Sequence, residues 1–307
     1  MKIVFMGTPD FAVPCLEALI NDGCEIAAVF TQPDKPKGRG YAMTPPPVKV
    51  CAQKHGIEVY QPEKMKDGTA YEILSKIKPD MIIVVAYGKI LPKDIIELPP
   101  FGCINVHASL LPEYRGAAPI QWAVLDGKKK TGVTAMYMDV GLDTGDMLLK
   151  AETDIGENET AGELHDRLSA MGAELIVKTV HEAEKGTLVR EKQDDSKSCY
   201  ASMLTKEMSV IDFGKTAQKV HDLVRGLNSW PSASAVLNGK RIKIHRTLIT
   251  NGSGEPGQVL SLEPFVVACG EGAVEIKELQ PEGKKRMSAQ AFVNGLHNVS
   301  AKELKFS

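Results

Sequence analysis

Met81–Pro92 reads MIIVVAYGKILP: an unbroken apolar run, MIIVVA, that ends abruptly in a Tyr-Gly turn. A strand with one solvated face alternates apolar and polar residues. A continuous run instead marks a strand covered on both faces, as in a parallel sheet between helix layers. Working outward, Lys2–Met6 and Glu25–Phe30 are further short apolar strands, separated by the turn Gly7-Thr8-Pro9-Asp10 and a helix from about Phe11 to Asn21. Toward the C-terminus, Cys103–His107 and the alternating Thr131–Met138 extend the series. This β-α-β order predicts an α/β fold: a Rossmann-like, parallel-rich sheet with helices on both faces. Ligands of such sheets bind beyond the C-terminal strand ends, where Tyr87-Gly88 and His107 fall.

The remainder reads differently. Gly156–Lys185 has helical periodicity, and Leu188–Leu204 is polar and irregular. A helix over Thr216–Leu227 precedes five short strands at Ala233–Leu237, Lys240–Thr250, Gln258–Leu262, Phe265–Cys269 and Ala273–Leu279. Short strands separated by Gly and Asn turns predict a small OB-like barrel. The expected organisation is residues 1–188 as catalytic domain, 189–205 as linker and 206–307 as C-terminal barrel.

At 307 residues, 43% hydrophobic and 25% charged, the composition is that of a soluble chain with room for two domains. No apolar run approaches the roughly 18 residues of a membrane span. The opening MKIVFMG already reads as strand and turn, so no targeting peptide is expected. The six cysteines stand singly, without C-x-x-C or metal spacing, which predicts reduced thiols. The net charge of −2 divides unevenly: from Lys206 onward 14 Lys+Arg face 10 Asp+Glu, against 23 and 29 before it. A basic tail behind an acidic body favours a polyanionic partner for that tail.

Ile104–Leu148 carries the chemistry: INVHASLLPEYRGAAPIQWAVLDGKKKTGVTAMYMDVGLDTGDML. In a strand, residues i and i+2 share a face, so Asn105 and His107 project together. Asp143, inside Gly141-Leu-Asp-Thr-Gly145, supplies a carboxylate on a turn whose glycines allow close backbone approach. Amide, imidazole and carboxylate together can stabilise an oxyanion while moving a proton, which is acyl-group chemistry. A polar pair satisfied at a strand end is the structural alternative. Asp139 and Asp146 rank below Asp143 by position. Gly7-Thr8-Pro9 lacks the G-x-G-x-x-G of a dinucleotide site. Thr31–Pro47 (TQPDKPKGRGYAMTPPP) is a long loop without a secondary-structure signal, either functional or merely solvated.

With these residues assembled, the chain resembles the 10-formyltetrahydrofolate-dependent formyltransferases, and within them the methionyl-tRNA formyltransferase family. The resemblance runs through Gly7–Leu19 (GTPDFAVPCLEAL), Gly38-Arg39-Gly40, Tyr87-Gly88, Leu91-Pro92, Asn105-Val-His107, Ser109-Leu-Leu-Pro112, Tyr114–Ile120 and Leu142-Asp-Thr-Gly145. The tail adds Arg225-Gly226, Trp230-Pro231, Val267–Gly270 and Leu279-Gln280. The Asn, His and Asp signature is common to the folate-dependent transferases; the first motif, the arginine loop and the tail narrow the match. Departures are Ser229 for the usual proline, Ser232-Ala233-Ser234 for Gly-Ala-aromatic, and Tyr41-Ala42-Met43, less basic than usual.

The resemblance implies formyl transfer from 10-formyltetrahydrofolate to the α-amine of methionyl-initiator tRNA, without a metal. It implies Asn105 as oxyanion donor, a charged His107 beside it, and Asp143 orienting His107. Folate is expected on Tyr87, Gly88, Ile90, Leu91 and Pro92 and on Ser109, Leu110, Leu111 and Pro112. Initiator tRNA is expected on Lys37 and Arg39, and on Lys240, Arg241, Lys243, Arg246, Lys284, Lys285 and Arg286. A cytoplasmic monomer is expected. The competing readings are a formyltransferase for amino sugar nucleotides, which would share the trio, a non-catalytic tRNA binder, and a nicotinamide oxidoreductase.

Overall fold

The computed structural model describes residues 1–37, 42–296 and 299–307. The chain forms two compact units, the first comprising Met1–Gly116, Thr131–Thr153 and His165–Ala201. Its elements begin with β1 (Lys2–Gly7), α1 (Val13–Asn21), β2 (Glu25–Phe30), β3 (Lys35–Lys37), β4 (Ala42–Thr44) and α2 (Pro47–Lys54). They continue with β5 (Val59–Tyr60), α3 (Thr69–Ile77), β6 (Met81–Val85), α4 (Lys93–Ile96), β7 (Cys103–His107) and β8 (Arg115–Gly116). After α5 (Pro119–Leu125), which belongs to the second unit, come β9 (Lys130–Tyr137), β10 (Met147–Asp154), α6 (Ala161–Glu184) and β11 (Tyr200–Ala201).

The main sheet runs β10-β9-β7-β6-β1-β2-β5. Strands β5, β2, β1, β6 and β7 pair in parallel, and β9 runs antiparallel to β7. β6 is buried at every position, as its apolar run requires. Val4 and Met6 of β1, Ile82 and Val84 of β6 and Cys103 of β7 share one core with Leu74 of α3 and Ile95 of α4. On the opposite face α6 approaches so closely that a Cβ on Gly172 would lie 3.1 Å from Val106 and 3.6 Å from Cys15. By alternation, Asn105 and His107 face the same side as Cys103. The strand order reverses at the β1–β6 pair, and there the Thr8 hydroxyl donates to the Tyr87 carbonyl at 2.8 Å. Gly7 is required by packing, since a Cβ there would lie 2.7 Å from Phe5 and 2.9 Å from Ala12.

Three expectations are corrected. The loop 31–47 contains a β-hairpin, β3 with β4, and Lys49 braces its base by pairing with Asp34 at 2.8 Å. The long helix starts at Ala161 rather than Gly156, because Thr160 and Glu163 form a reciprocal cap: Glu163 N donates to Thr160 Oγ1 at 3.2 Å, and Thr160 N to Glu163 Oε2 at 2.9 Å. The polar segment 188–204 is partly ordered. Glu191 exchanges backbone hydrogen bonds with Met147, and β11 pairs with β8.

The second unit comprises Ala117–Lys130, Asp154–Leu164 and Ser202–Ser307. It contains α7 (Ala217–Gly226), β12 (Ser234–Leu237), β13 (Lys240–Thr250), β14 (Val259–Ser261), β15 (Val266–Ala268), β16 (Ala273–Pro281), β17 (Met287–Ser288) and α8 (Ala289–Asn294). The antiparallel sheet runs β12-β13-β16-β15-β14, with β17 beside β16. Residues 304–307 bond to both of its edges. Val236 N donates to Ser307 O at 2.8 Å, and Val259 N to Leu304 O at 3.1 Å. This segment satisfies backbone groups that two open edge strands would expose, and it brings the sheet toward a small barrel. Leu304 and Phe306 are buried beneath it.

Candidate active site

β7 ends in Asn105 and His107, held in register by Val84 on one side and by Met136 and Thr134 on the other. Asn105 is half-buried, and among the described residues its amide has no hydrogen-bond partner. The imidazole of His107 is 6% exposed and lies 2.8 Å through Nε2 from the Tyr114 carbonyl. A carbonyl only accepts, so Nε2 carries a proton and Nδ1 is the ring nitrogen outside this contact. Nδ1 lies 3.7 Å from Asp143 Oδ2, within ion-pair range but beyond hydrogen-bond length. The same Oδ2 accepts from the Gly116 backbone N–H at 2.9 Å, which fixes the carboxylate. Of the trio expected from sequence, the structure brings His107 and Asp143 together, with Nδ1 facing the carboxylate, and sets Asn105 two residues before His107 on the same strand.

The backbone around the trio is specialised. Tyr114 and Asp143 are non-glycine residues with positive φ, 58° and 52°. Gly145 has no alternative, because a Cβ there would lie 1.8 Å from the Tyr137 carbonyl. The turn after His107 is organised by buried Thr134, whose hydroxyl donates to Ser109 O at 2.7 Å and accepts from Leu111 N at 3.2 Å. Gln193 reaches the Asp143 loop from the segment that reads as a linker, donating to Asp143 O at 2.7 Å and Gly145 O at 2.8 Å. Thr134 and Gln193 carry no signal in the sequence, and Tyr114 and Gly116 stand there only as part of the Tyr114–Ile120 motif, without a role.

Residues expected to line a folate pocket divide by exposure. Ser109, Leu111, Tyr87 and Leu91 are buried, and Ile90 is 75% exposed. Gly88, Leu110 and Pro92 are at or near the surface. The Tyr87 hydroxyl donates inward to Met65 Sδ at 3.3 Å, while burial raises its pKa. The Tyr87 phenol is therefore turned into the core. Its carbonyl and that of Gly88 already accept from Gln32 Nε2 at 3.2 and 3.0 Å. A cleft lined by Thr8, Gln32, Lys35, Thr44 and Pro45 lies beside the β3–β4 hairpin and includes none of the trio.

The expected tRNA contacts also divide. Arg39 lies outside the described residues, as does the side chain of Lys37. Arg246 pairs with Glu163 and Glu278, and Arg286 also pairs with Glu278. Arg241 donates to Ser234 and Ser209 hydroxyls at 2.9–3.1 Å, yet remains exposed. Lys240, Lys243, Lys284 and Lys285 are exposed and, among the described residues, have no carboxylate partner. The 281–286 turn joins this surface through Glu282 N to Arg241 O at 3.0 Å, and Lys243 is in register with Gln280.

Other chemistries find less support. Burial pushes the Cys103 thiol, on the trio's strand, up to about 12, which removes it as a nucleophile near neutrality. Among the described residues one set of metal-capable donors converges: Glu17, Cys51 and His55, with donor atoms within 4.8 Å of one another. It lies on α1 and at the end of α2, and none of its residues belongs to the trio. The Cys51 thiol points to Glu17 at 4.0 Å, and burial first, then Glu17, raises its pKa. Among the described residues, no helix is long and apolar enough to cross a membrane.

Comparison with known proteins covers both units. A family profile described as "Formyl transferase" matches residues 1–180, and one described as "Formyl transferase, C-terminal domain" matches 203–297. The chain is 50% identical over 297 residues to a methionyl-tRNA formyltransferase of Geobacter metallireducens, covering 96% of each chain. It is 52% identical to one of Geotalea daltonii, covering 96% of this chain and 95% of that one. Among solved structures, an N-formyltransferase from Helicobacter canadensis, in complex with folinic acid and dTDP-3-aminofucose, superposes with a TM-score of 0.69 at 21% identity. That match covers 94% of this chain and all of the other. HypX from Aquifex aeolicus in complex with tetrahydrofolic acid superposes with a TM-score of 0.65 at 17% identity, over 97% of this chain and 48% of that one. At such identities these two likenesses establish the fold alone.

Proposed function

Because the chain belongs to the methionyl-tRNA formyltransferase family, we propose that Asn105, His107 and Asp143 carry its reaction, in which the formyl group of 10-formyltetrahydrofolate passes to the α-amine of methionine esterified to initiator tRNA. The amine nitrogen attacks the formyl carbon, forming the new C–N bond and leaving charge on the carbonyl oxygen. Asn105 donates to that oxygen. His107, protonated on Nδ1, adds positive charge beside it and is held by Tyr114 O and Asp143. Collapse breaks the bond to N10 of the folate. The amine proton moves to N10 by way of the Asp143–His107 side, giving formylmethionyl-tRNA and tetrahydrofolate.

Magnitudes rank these roles. A free α-amine has a pKa of roughly 7.7–8.0, and esterification lowers it, so deprotonation near pH 7 costs at most about 1.4 kcal/mol. One oxyanion donor is worth about 2.7–4 kcal/mol. Charge stabilisation is the larger task, and the unengaged Asn105 amide, on the same strand face as His107, is the observation that supports this reading most strongly. Tyr87–Pro92 and Ser109–Pro112 bind the folate, largely through backbone groups and apolar walls. Lys240, Arg241, Lys243, Lys284 and Lys285 contact tRNA phosphates, which position the substrate without reading its bases. Lys37 and Arg39 also bind the tRNA, and Arg246 and Arg286 join the second unit's contacts by exchanging their carboxylate partners for phosphates. The enzyme acts as a cytoplasmic monomer.

The test supplies labelled 10-formyltetrahydrofolate with charged initiator tRNA, free methionine and an amino sugar nucleotide as parallel acceptors. Label entering the charged tRNA alone supports the reading. Label entering the sugar nucleotide would overturn the acceptor assignment and leave the trio's chemistry standing.

A further inference from the structure

Gln193 lies in the polar run Glu191–Lys197, where it is the only half-buried residue among exposed neighbours. Its amide is fully used within the first unit. Nε2 donates to the carbonyls of Asp143 and Gly145 at 2.7 and 2.8 Å, and Oε1 accepts from Arg115 Nε at 2.9 Å. Arg115 in turn pairs with Asp195 at 2.7 Å and is anchored through its backbone N–H to the Cys199 carbonyl at 2.9 Å. Its two neighbours both touch the trio: Tyr114 O holds His107 Nε2, and Gly116 N holds Asp143 Oδ2.

One side chain therefore ties together the two segments whose separation sets the Asp143–His107 distance. The Asp143 loop has no helix or strand to hold it between Tyr137 and Met147, and its key residue sits at φ 52°. Aspartate tolerates that conformation, but nothing local enforces it. The two carbonyl contacts from Gln193 supply the enforcement, and the contact to Arg115 fixes where the loop sits.

We propose that Gln193 is a positioning residue for formyl transfer, clamping the Asp143 loop to the 114–116 segment so that the carboxylate faces His107 Nδ1. This rests on the catalytic role proposed above for Asp143. Displacement of about 1 Å at a reacting centre costs on the order of 10²-fold.

The experiment measures single-turnover formylation and steady-state kinetics for Gln193→Leu, Gln193→Glu and Asp143→Asn, and for Leu or Glu at 193 combined with Asp143→Asn. Leucine removes all three contacts. Glutamate keeps an acceptor for Arg115 and loses both donors. Each single change at 193 is expected to lower kcat about 10- to 100-fold, with KM for folate and for charged tRNA within about twofold and the melting temperature unchanged. In the Asp143→Asn background the same change is expected to cost less than about twofold, because the two residues act as one unit. An equal loss in both backgrounds would overturn the proposal, as would a Gln193→Glu enzyme of normal kcat. If Asp143→Asn is itself near normal, the role of Asp143 fails and the clamp falls with it. If Asp143→Asn is slow and both 193 variants are normal, only the clamp fails.

Discussion

Asp222 and Arg225 form a buried ion pair in the second unit, and its removal makes a quantitative test of that unit's packing. Their residues are 1% and 3% exposed, and Arg225 Nε and Nη2 each lie 2.8 Å from Asp222 Oδ1. Gln218 also donates to this oxygen at 3.0 Å, and Arg225 reaches the carbonyls of Gly156 and Glu159 at 3.3 and 3.4 Å. Asp222→Ala leaves a guanidinium buried without its counter-charge, a loss of about 3–5 kcal/mol. Replacing both partners with apolar residues, Asp222→Leu with Arg225→Met, removes the stranded charge and is expected to recover most of that loss. Both tryptophans, Trp122 and Trp230, belong to the second unit, so indole fluorescence in urea reports its unfolding separately from the first. With m of about 2 kcal/mol per molar urea, Asp222→Ala should lower the fluorescence midpoint by about 1.5–2.5 M. A fall below about 0.5 M, or a double variant no better than the single, would refute the reasoning.

Burial holds His221 and His245 below the ordinary histidine value of 6.5, so the unfolded chain binds protons that the folded one refuses. Their stabilisation is present above about pH 6.5 and is lost as pH falls through the folded values; the urea midpoint should drop between pH 7.5 and 5.5, less steeply in His221→Gln, and parallel curves would count against this. Phe306 stacks near Phe213 and Phe265 at 5.5 and 6.1 Å, and Phe306→Ala should cost about 3–5 kcal/mol by the same fluorescence assay, a loss under 1 kcal/mol being inconsistent with its closing role. Lys284→Glu with Lys285→Glu should reduce kcat/KM for charged tRNA about tenfold at low salt, with the gap narrowing as salt rises and folate KM unmoved; an equal defect at all salt concentrations would remove these lysines from phosphate contact.

The elements that sequence made legible are those with local signals. Val84 and its neighbours formed an apolar run too continuous for a half-exposed strand, and Cys103–His107 is a strand at the bounds expected. Asn105 and His107 were readable together because strand alternation is a short-range rule. What escaped was non-local. The bridging of both sheet edges by residues 304–307 joins positions some 45–70 apart, which no periodicity reports. The two-residue strands β8 and β11 carry no pattern at all, yet they anchor Arg115 beside the trio. Gln193 sits in a run that reads EKQDDSK, where composition alone argues for a solvated linker. The positive φ of Tyr114 gave no warning in its residue type, since a tyrosine rarely adopts it. The β3–β4 hairpin was hidden by prolines at 33 and 36, which weaken any strand reading.

The measurement that most directly tests the catalytic account is single-turnover formylation by Asn105→Ala, with saturating 10-formyltetrahydrofolate and charged initiator tRNA, alongside equilibrium folate binding. The expected rate is lower by about 10²–10³-fold, with folate affinity within about twofold of the parent. A near-normal rate, or a loss explained by weakened folate binding, would contradict the assignment of Asn105 to the developing oxyanion.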